Sequence, residues 1–222
     1  ADLTGIEDFY SLEYLNCSNN SLHQLDLSSN TALTELLCHD NHLFSIDVSS
    51  NTALTNLYCG ANQLHILDVS SNTALTNLYC SDNHLDSLDI SSNTALTILD
   101  CGANLLTILD VSGCSALTEL TCDDNQLLSI DVSSNTALRE FYCYANKLNS
   151  LEVSNNTFLT HLGCGDNPYL SSLHANNLNL TWLDVSSNPQ LMELNCSNNL
   201  ISMMWISNTP LLKYFNCKNN HL

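Results

Sequence analysis

Only four lysines and arginines stand against 23 aspartates and glutamates in these 222 residues, a formal net charge of −19. A surface so poor in cations repels nucleic acid phosphates and anionic membranes; it favours cations, basic partners or uncharged surfaces. Nowhere is there a run of about 20 apolar residues, the length a membrane-spanning helix needs. The opening Ala1-Asp2-Leu3-Thr4-Gly5 has neither a basic stretch nor a long apolar one, so a secretory signal was removed or was never there. With only six glycines, the chain lacks a phosphate-cradling glycine loop and a G-x-S-x-G elbow. No Ser/His/Asp set stands out, and the carboxylates are a periodic array, not a pair in opposed environments. The expectation is a non-enzyme with no cofactor. His39 with His42, or His23 with His65, are pairs that folding can bring together, but neither supplies the third ligand a metal site needs. Helical periodicity is missing as well. Such negative charge would suit a disordered chain, but 44% hydrophobic content and strict regularity argue against one.

What is present is a repeat. Cys17, Cys38, Cys59, Cys80, Cys101, Cys122, Cys143 and Cys164 follow one another at 21 residues without a slip. Between them fall Leu27, Val48, Val69, Ile90, Val111, Val132 and Val153, so the rhythm alternates between 10 and 11. Leucine stands five before nearly every centre, leucine or isoleucine two before. Asparagine stands three after in 17 of 20 halves, the exceptions being Cys114, Leu178 and Thr209. After Cys164 the centres are Ala175, Val185, Cys196, Ile206 and Cys217, a phase slip of one half-turn within residues 164–185. Because the leucine frame resumes at once, both halves are expected to share a backbone shape. Residues 1–11 read as a degenerate first half-turn in which Phe9 covers the open end of the core. The chain stops at Leu222 inside a coil, which reads as a piece of something longer.

Apolar–polar–apolar alternation before each centre predicts a short strand with one buried face, stacked in parallel on the next coil about 4.8 Å away. The expected architecture is one domain, residues 1–222, of about ten coils with two narrow sheets. Each cysteine shares its inward slot with Val or Ile. The thiols are therefore read as reduced and buried, with Cys114, in an asparagine slot, the most differently exposed. The asparagine ladder, Asn20, Asn41, Asn62, Asn83, Asn104, Asn125 and Asn146, is read as bonding turn backbone in its own coil and in the next.

The paired frame L-x-x-L-x-C-x-x-N and L-x-x-L-D-V-S-S-N, running through residues 12–220, resembles the leucine-rich repeat family, in its short bacterial 21-residue class. The resemblance implies a right-handed solenoid of parallel strands whose variable surface binds proteins or other macromolecules, in a secreted or cell-surface setting. Two near-equal halves depart from the family's strand-and-helix coil and predict a straighter solenoid.

The two faces differ in variability. The valine-centred one repeats Asp26, Asp47, Asp68, Asp89, Asp110 and Asp131, read first as acceptors for the flanking serines and second as a ladder of weak cation sites. The cysteine-centred one varies and carries Tyr58, Tyr79, Asp100, Glu119, Asp123, Glu140, Tyr142 and Tyr144. Outward tyrosines are common interface anchors. The predicted function is a non-catalytic binding or adhesion module whose variable strand face, between residues 56 and 144, meets a protein. Glycan binding or a spacer role in a larger surface protein is the alternative. Thr31, Thr52, Thr73 and Thr94, with Thr34, Thr55, Thr76, Thr97, Thr118 and Thr160, form columns that make ice binding a remote third. Nucleic acid and membrane insertion are excluded as partners, and nothing sets an oligomeric state.

Overall fold

Leucines at fixed offsets cannot all be buried by one coil; stacking coils buries them as a continuous column. In the computed structural model, which describes residues 2–222, that column runs the length of the chain and excludes water from almost every leucine of the frame. The result is a leucine-rich-repeat-like parallel solenoid with a 21-residue period. Its only helical segment among the described residues is one 3-10 turn, Ile6–Asp8.

One sheet has ten strands: β1 (Tyr14–Asn16), β2 (Glu35–Leu37), β3 (Asn56–Tyr58), β4 (Asn77–Tyr79), β5 (Ile98–Asp100), β6 (Glu119–Thr121), β7 (Glu140–Tyr142), β9 (His161–Gly163), β11 (Trp182–Asp184) and β13 (Met203–Trp205). Neighbours pair in parallel and in register, residue for residue 21 apart, as in Tyr58 with Tyr79. The second sheet is shorter than the sequence reading expects. It holds only β8 (Leu151–Glu152), β10 (Ser172–His174), β12 (Glu193–Asn195) and β14 (Tyr214–Asn216).

The physical reason lies in the turns. Every cysteine-centred half up to Cys164 passes through a left-handed residue two after its centre, as at Ala61 (φ 49°) and Asp82 (φ 54°), and its backbone bonds to the next coil. The valine-centred halves up to Val153 have no such residue. They tie themselves up locally: Asn51 N–H bonds Val48 O at 3.0 Å, and Leu54 N–H bonds Asn51 O at 3.1 Å. So the two halves are alike only beyond the slip, where Asn177, Ser187, Asn198, Asn208 and Asn219 all take left-handed φ and both sides carry strands.

The slip itself leaves the ten-stranded ladder unbroken. Strands at 161, 182 and 203 continue the 21-residue step, with Trp182 paired to His161 and to Met203. What changes is which half supplies them: Val185 and Ile206 now follow strands of the long sheet, and Cys196 and Cys217 follow strands of the short one.

Two expectations about side chains are overturned. Phe9 does not cover the N-terminal end; it is 58% exposed, because the 3-10 turn directs Leu3 and Ile6 against the core instead. Cys114 is not exposed differently, being 1% accessible. All eleven cysteines are unpaired thiols, ten buried and Cys217 half-buried.

The asparagine slots hide two distinct roles. On the cysteine side, Asn62 Nδ2 donates to Cys38 O (3.0 Å) in the preceding coil, not the next, and to Cys59 O (3.1 Å) in its own, while its Oδ1 accepts Leu43 N–H at 3.0 Å. On the valine side, Asn72 Nδ2 donates to Val48 O and Asn51 O, both at 2.9 Å, and its Oδ1 has no partner. The same holds for Asn30, Asn51, Asn93, Asn135 and Asn156. Only donation is used there, which explains why a cysteine can fill that slot. The Cys114 thiol lies 3.8 Å from Ile90 O and 3.6 Å from Asn93 O, the same two kinds of carbonyl an asparagine would reach.

Candidate functional site

The long sheet's outer surface is built from three columns, because the pleat turns the two residues flanking each buried leucine outward and the turn adds a third beyond the centre. All eight residues of the expected binding face lie on it. Tyr58, Tyr79, Asp100 and Tyr142 stand in the column before the centre, Glu119 and Glu140 in the column two residues earlier, and Asp123 and Tyr144 just past the centre.

They form two aromatic patches joined by carboxylates. In the first, Tyr58 and Tyr79 stack with ring centroids 4.7 Å apart and planes 7° from parallel. They edge a shallow depression of about 310 Å³ with His39, Asp40 and Asp100. Asp100 there accepts a bond from Ser81 Oγ at 2.9 Å. Between the patches, Glu119 and Glu140 are direct cross-strand partners, with His161 next to Glu140 on the following strand, and among the described residues neither carboxylate forms an ion pair. Burial, then Glu140 and Asp100, push the Glu119 carboxyl above the usual range, and burial does the same to Asp123. A raised carboxyl destabilises the fold when ionised; the strain is relieved as pH falls through the raised value, or by a cation at neutral pH.

The second patch holds residues that the sequence reading missed. Tyr142 and Tyr144 lie 6.1 Å apart and nearly parallel; Trp182 meets both edge-on at 6.2 and 6.4 Å, and Trp205 meets Trp182 at 5.6 Å. His161 lies 6.3 Å from Trp182. The Tyr144 ring occupies the space over Gly163 that any Cβ would fill. Trp182 and Trp205 belong to valine-type halves in the sequence, and only the slip carries them onto this face. Counting in steps of 21 from His161 reaches Trp182, and from Gly163 reaches Trp205.

The opposite face is quieter. Each repeated aspartate turns back on its own chain: Asp47, Asp68, Asp89, Asp110 and Asp131 accept the N–H of the serine two residues on at 2.9 Å, and Asp26 does so at 3.0 Å. These serine bonds hold the carboxyls below their usual range, outweighing repulsion from neighbouring coils. Their contribution to stability is therefore present above the ordinary carboxylate pKa and lost as pH falls through the lowered one. Among the described residues no group of three or more His, Cys, Asp or Glu is placed to hold a metal. Magnesium and calcium at equal concentration should then raise the melting temperature alike, by about 1–3 °C through screening. Sharp saturation by calcium alone in a thermal shift titration would show specific sites.

The histidine pairs that form are His23 with His42 (5.4 Å) and His65 with His84 (5.2 Å), not those the sequence suggested. The inner threonine column also has a different use. Thr34, Thr55, Thr76, Thr97, Thr118 and Thr160 donate their hydroxyls to the preceding coil's carbonyl at 3.0–3.1 Å, so those hydroxyls are spent within the protein.

The sequence matches no family model and no curated protein. Solved structures do resemble it. A leucine-rich-repeat protein of Leptospira interrogans is 24% identical with a TM-score of 0.67 over 97% of this chain and 62% of that one. YopM, a leucine-rich effector protein of Yersinia pestis, is 26% identical with a TM-score of 0.64 over 95% of this chain and 67% of that one. The functional domain of InlJ from Listeria monocytogenes, which includes a cysteine ladder, is 29% identical with a TM-score of 0.40, over 99% of this chain and 65% of that one. The chain thus spans a little under two thirds of the InlJ and Leptospira chains.

Proposed function

We propose that this solenoid is a non-catalytic module that binds a protein through the outer surface of its ten-stranded sheet, in a secreted or cell-surface setting. One observation carries the reading: the variable column residues gather two aromatic patches and unneutralised carboxylates on one side, while the other side repeats a self-satisfied Asp-Val-Ser-Ser. Aromatic side chains supply contact area at small ordering cost, and acidic ones steer a basic partner. The likeness to bacterial leucine-rich proteins supports the scaffold, and the sequence resemblance supports the setting.

The test compares Tyr58→Ala/Tyr79→Ala with Asp47→Ala/Asp68→Ala, both shown to be folded, in pull-downs from candidate surface proteins and on a glycan array. Truncating an interface aromatic typically weakens binding by about 2 kcal/mol or more, roughly thirtyfold. Loss of a protein partner in the tyrosine pair alone supports the reading. Retained binding in that pair places the interface elsewhere, and capture of glycans instead of proteins replaces the partner class.

A further inference from the structure

The proposed function leaves open what kind of group the partner presents to the second aromatic patch. Four rings, Tyr142, Tyr144, Trp182 and Trp205, are packed into one cluster across four coils of the sheet. Trp205, on the last strand of this sheet, keeps 53% of its surface exposed.

Two carboxylates flank the rings. Glu140 accepts the Tyr142 hydroxyl at 3.0 Å. Asp184 is 6% exposed and is Cα partner to Trp205. Its Oδ1 accepts Ser186 N–H at 2.8 Å, the same serine bond that the Asp ladder makes, and it lies close enough to Tyr144 to oppose ionisation of the phenol. Among the described residues neither carboxylate has a lysine or arginine partner, and the cross-strand neighbour of Glu140 is His161. The chain's only arginine, Arg139, lies over the Phe158 ring at 5.8 Å, and among the described residues the only ion pairs are His39–Asp40 and His174–Glu193.

Aromatic faces beside unpaired carboxylates match one kind of group better than any other: a planar, weakly hydrated cation that stacks on a ring while its N–H groups reach a carboxylate. We propose that this cluster is the seat for an arginine side chain on an extended basic segment of the partner protein. The guanidinium stacks on the exposed Trp205 or on Trp182, and the Glu140 and Glu119 carboxylates draw the basic segment along the sheet. This deepens the proposed function and rests on it.

The protein carries its own reporter, because Trp182 and Trp205 are its only two tryptophans and both lie in the cluster. The probe is an unstructured peptide alternating Arg and Ser, compared with its Lys and Glu counterparts and with a neutral oligosaccharide, read by tryptophan emission. The Arg peptide is expected to give a saturable change and to bind at least about threefold more tightly than the Lys peptide. Trp205→Ala, read through Trp182, and Glu140→Gln should each weaken it about tenfold. Gly163→Ala, which displaces the end of the Tyr144 ring without touching the core, should weaken it too. Asp47→Asn/Asp68→Asn should not. Equal affinity for Arg and Lys peptides, or equal loss in the Asp47/Asp68 control, would reduce the effect to net charge and overturn the proposal. A response to the oligosaccharide alone would overturn it as well. Should the peptide fail while Tyr58→Ala/Tyr79→Ala still abolishes partner capture, the arginine seat falls and the binding face stands; if both fail, the reading beneath it falls too.

Discussion

Raising the pH by one unit above the ordinary thiol pKa, from about 8.5 to 9.5 under reducing conditions, is expected to lower this protein's stability steeply. Seven thiols, on Cys38, Cys59, Cys80, Cys101, Cys122, Cys143 and Cys164, are wholly buried in one column, and burial pushes each up, Cys59 to about 12. A folded-state pKa raised above the unfolded one gives stability that is complete below the unfolded value and lost as pH climbs toward the folded one. In that window the unfolded chain ionises its thiols and the folded chain does not. At one unit above the unfolded value each buried thiol accounts for about 1.4 kcal/mol, and the seven together for roughly 10 kcal/mol, comparable to the whole stability of a typical domain. Denaturant midpoints measured in steps from pH 7.5 to 10 should fall steeply, and Cys101→Val should reduce the number of protons released on unfolding by about one. A midpoint that stays level to pH 10 would mean the column is not buried as described.

The second large effect separates two asparagines that look identical in the repeat. Asn83→Ala is expected to destabilise by about 3–5 kcal/mol, and Asn93→Cys by about 1 kcal/mol or less. Asn83 donates to Cys59 O (3.1 Å) and Cys80 O (3.1 Å) and accepts Leu64 N–H at 2.9 Å, so its loss strands a buried donor as well as carbonyls in two coils. Asn93 only donates, to Val69 O (3.0 Å) and Asn72 O (2.9 Å), and its own oxygen is already without a partner. A thiol in that slot keeps a weak donor near the same carbonyls, as Cys114 does one coil later. Urea melts of the two variants decide it: equal losses would show that the unpartnered oxygen finds a bond in solution and that the two slots are alike.

Much of this was legible from residue order. The 21-residue step, the inward leucines, the buried thiols and the Tyr58–Tyr79 stack all follow from period-two alternation, because a strand residue's facing is set within its own coil. What the order of residues could not show was which backbone groups a neighbouring coil brings within reach of a side chain. The two kinds of asparagine carry the same letter at the same offset and differ only in whether a backbone N–H 19 residues earlier reaches the oxygen, as Leu43 N–H reaches Asn62. Phe9 likewise held the expected slot, and the 3-10 turn leaves it exposed while packing a half-buried Ile6 against the core.

The face on which a residue lands is the clearest case. Trp182 and Trp205 sit in valine-type halves, which before the slip line the opposite side. In the folded chain, hydrogen bonding of β11 to β9 keeps the 21-residue ladder in step and carries both tryptophans onto the long sheet. The sequence by itself determined the coil: its length, its buried column and its outward positions. The tertiary structure alone decided how coils are phased against one another, because backbone hydrogen bonds between coils, and not the identity of either half, hold the register through the slip.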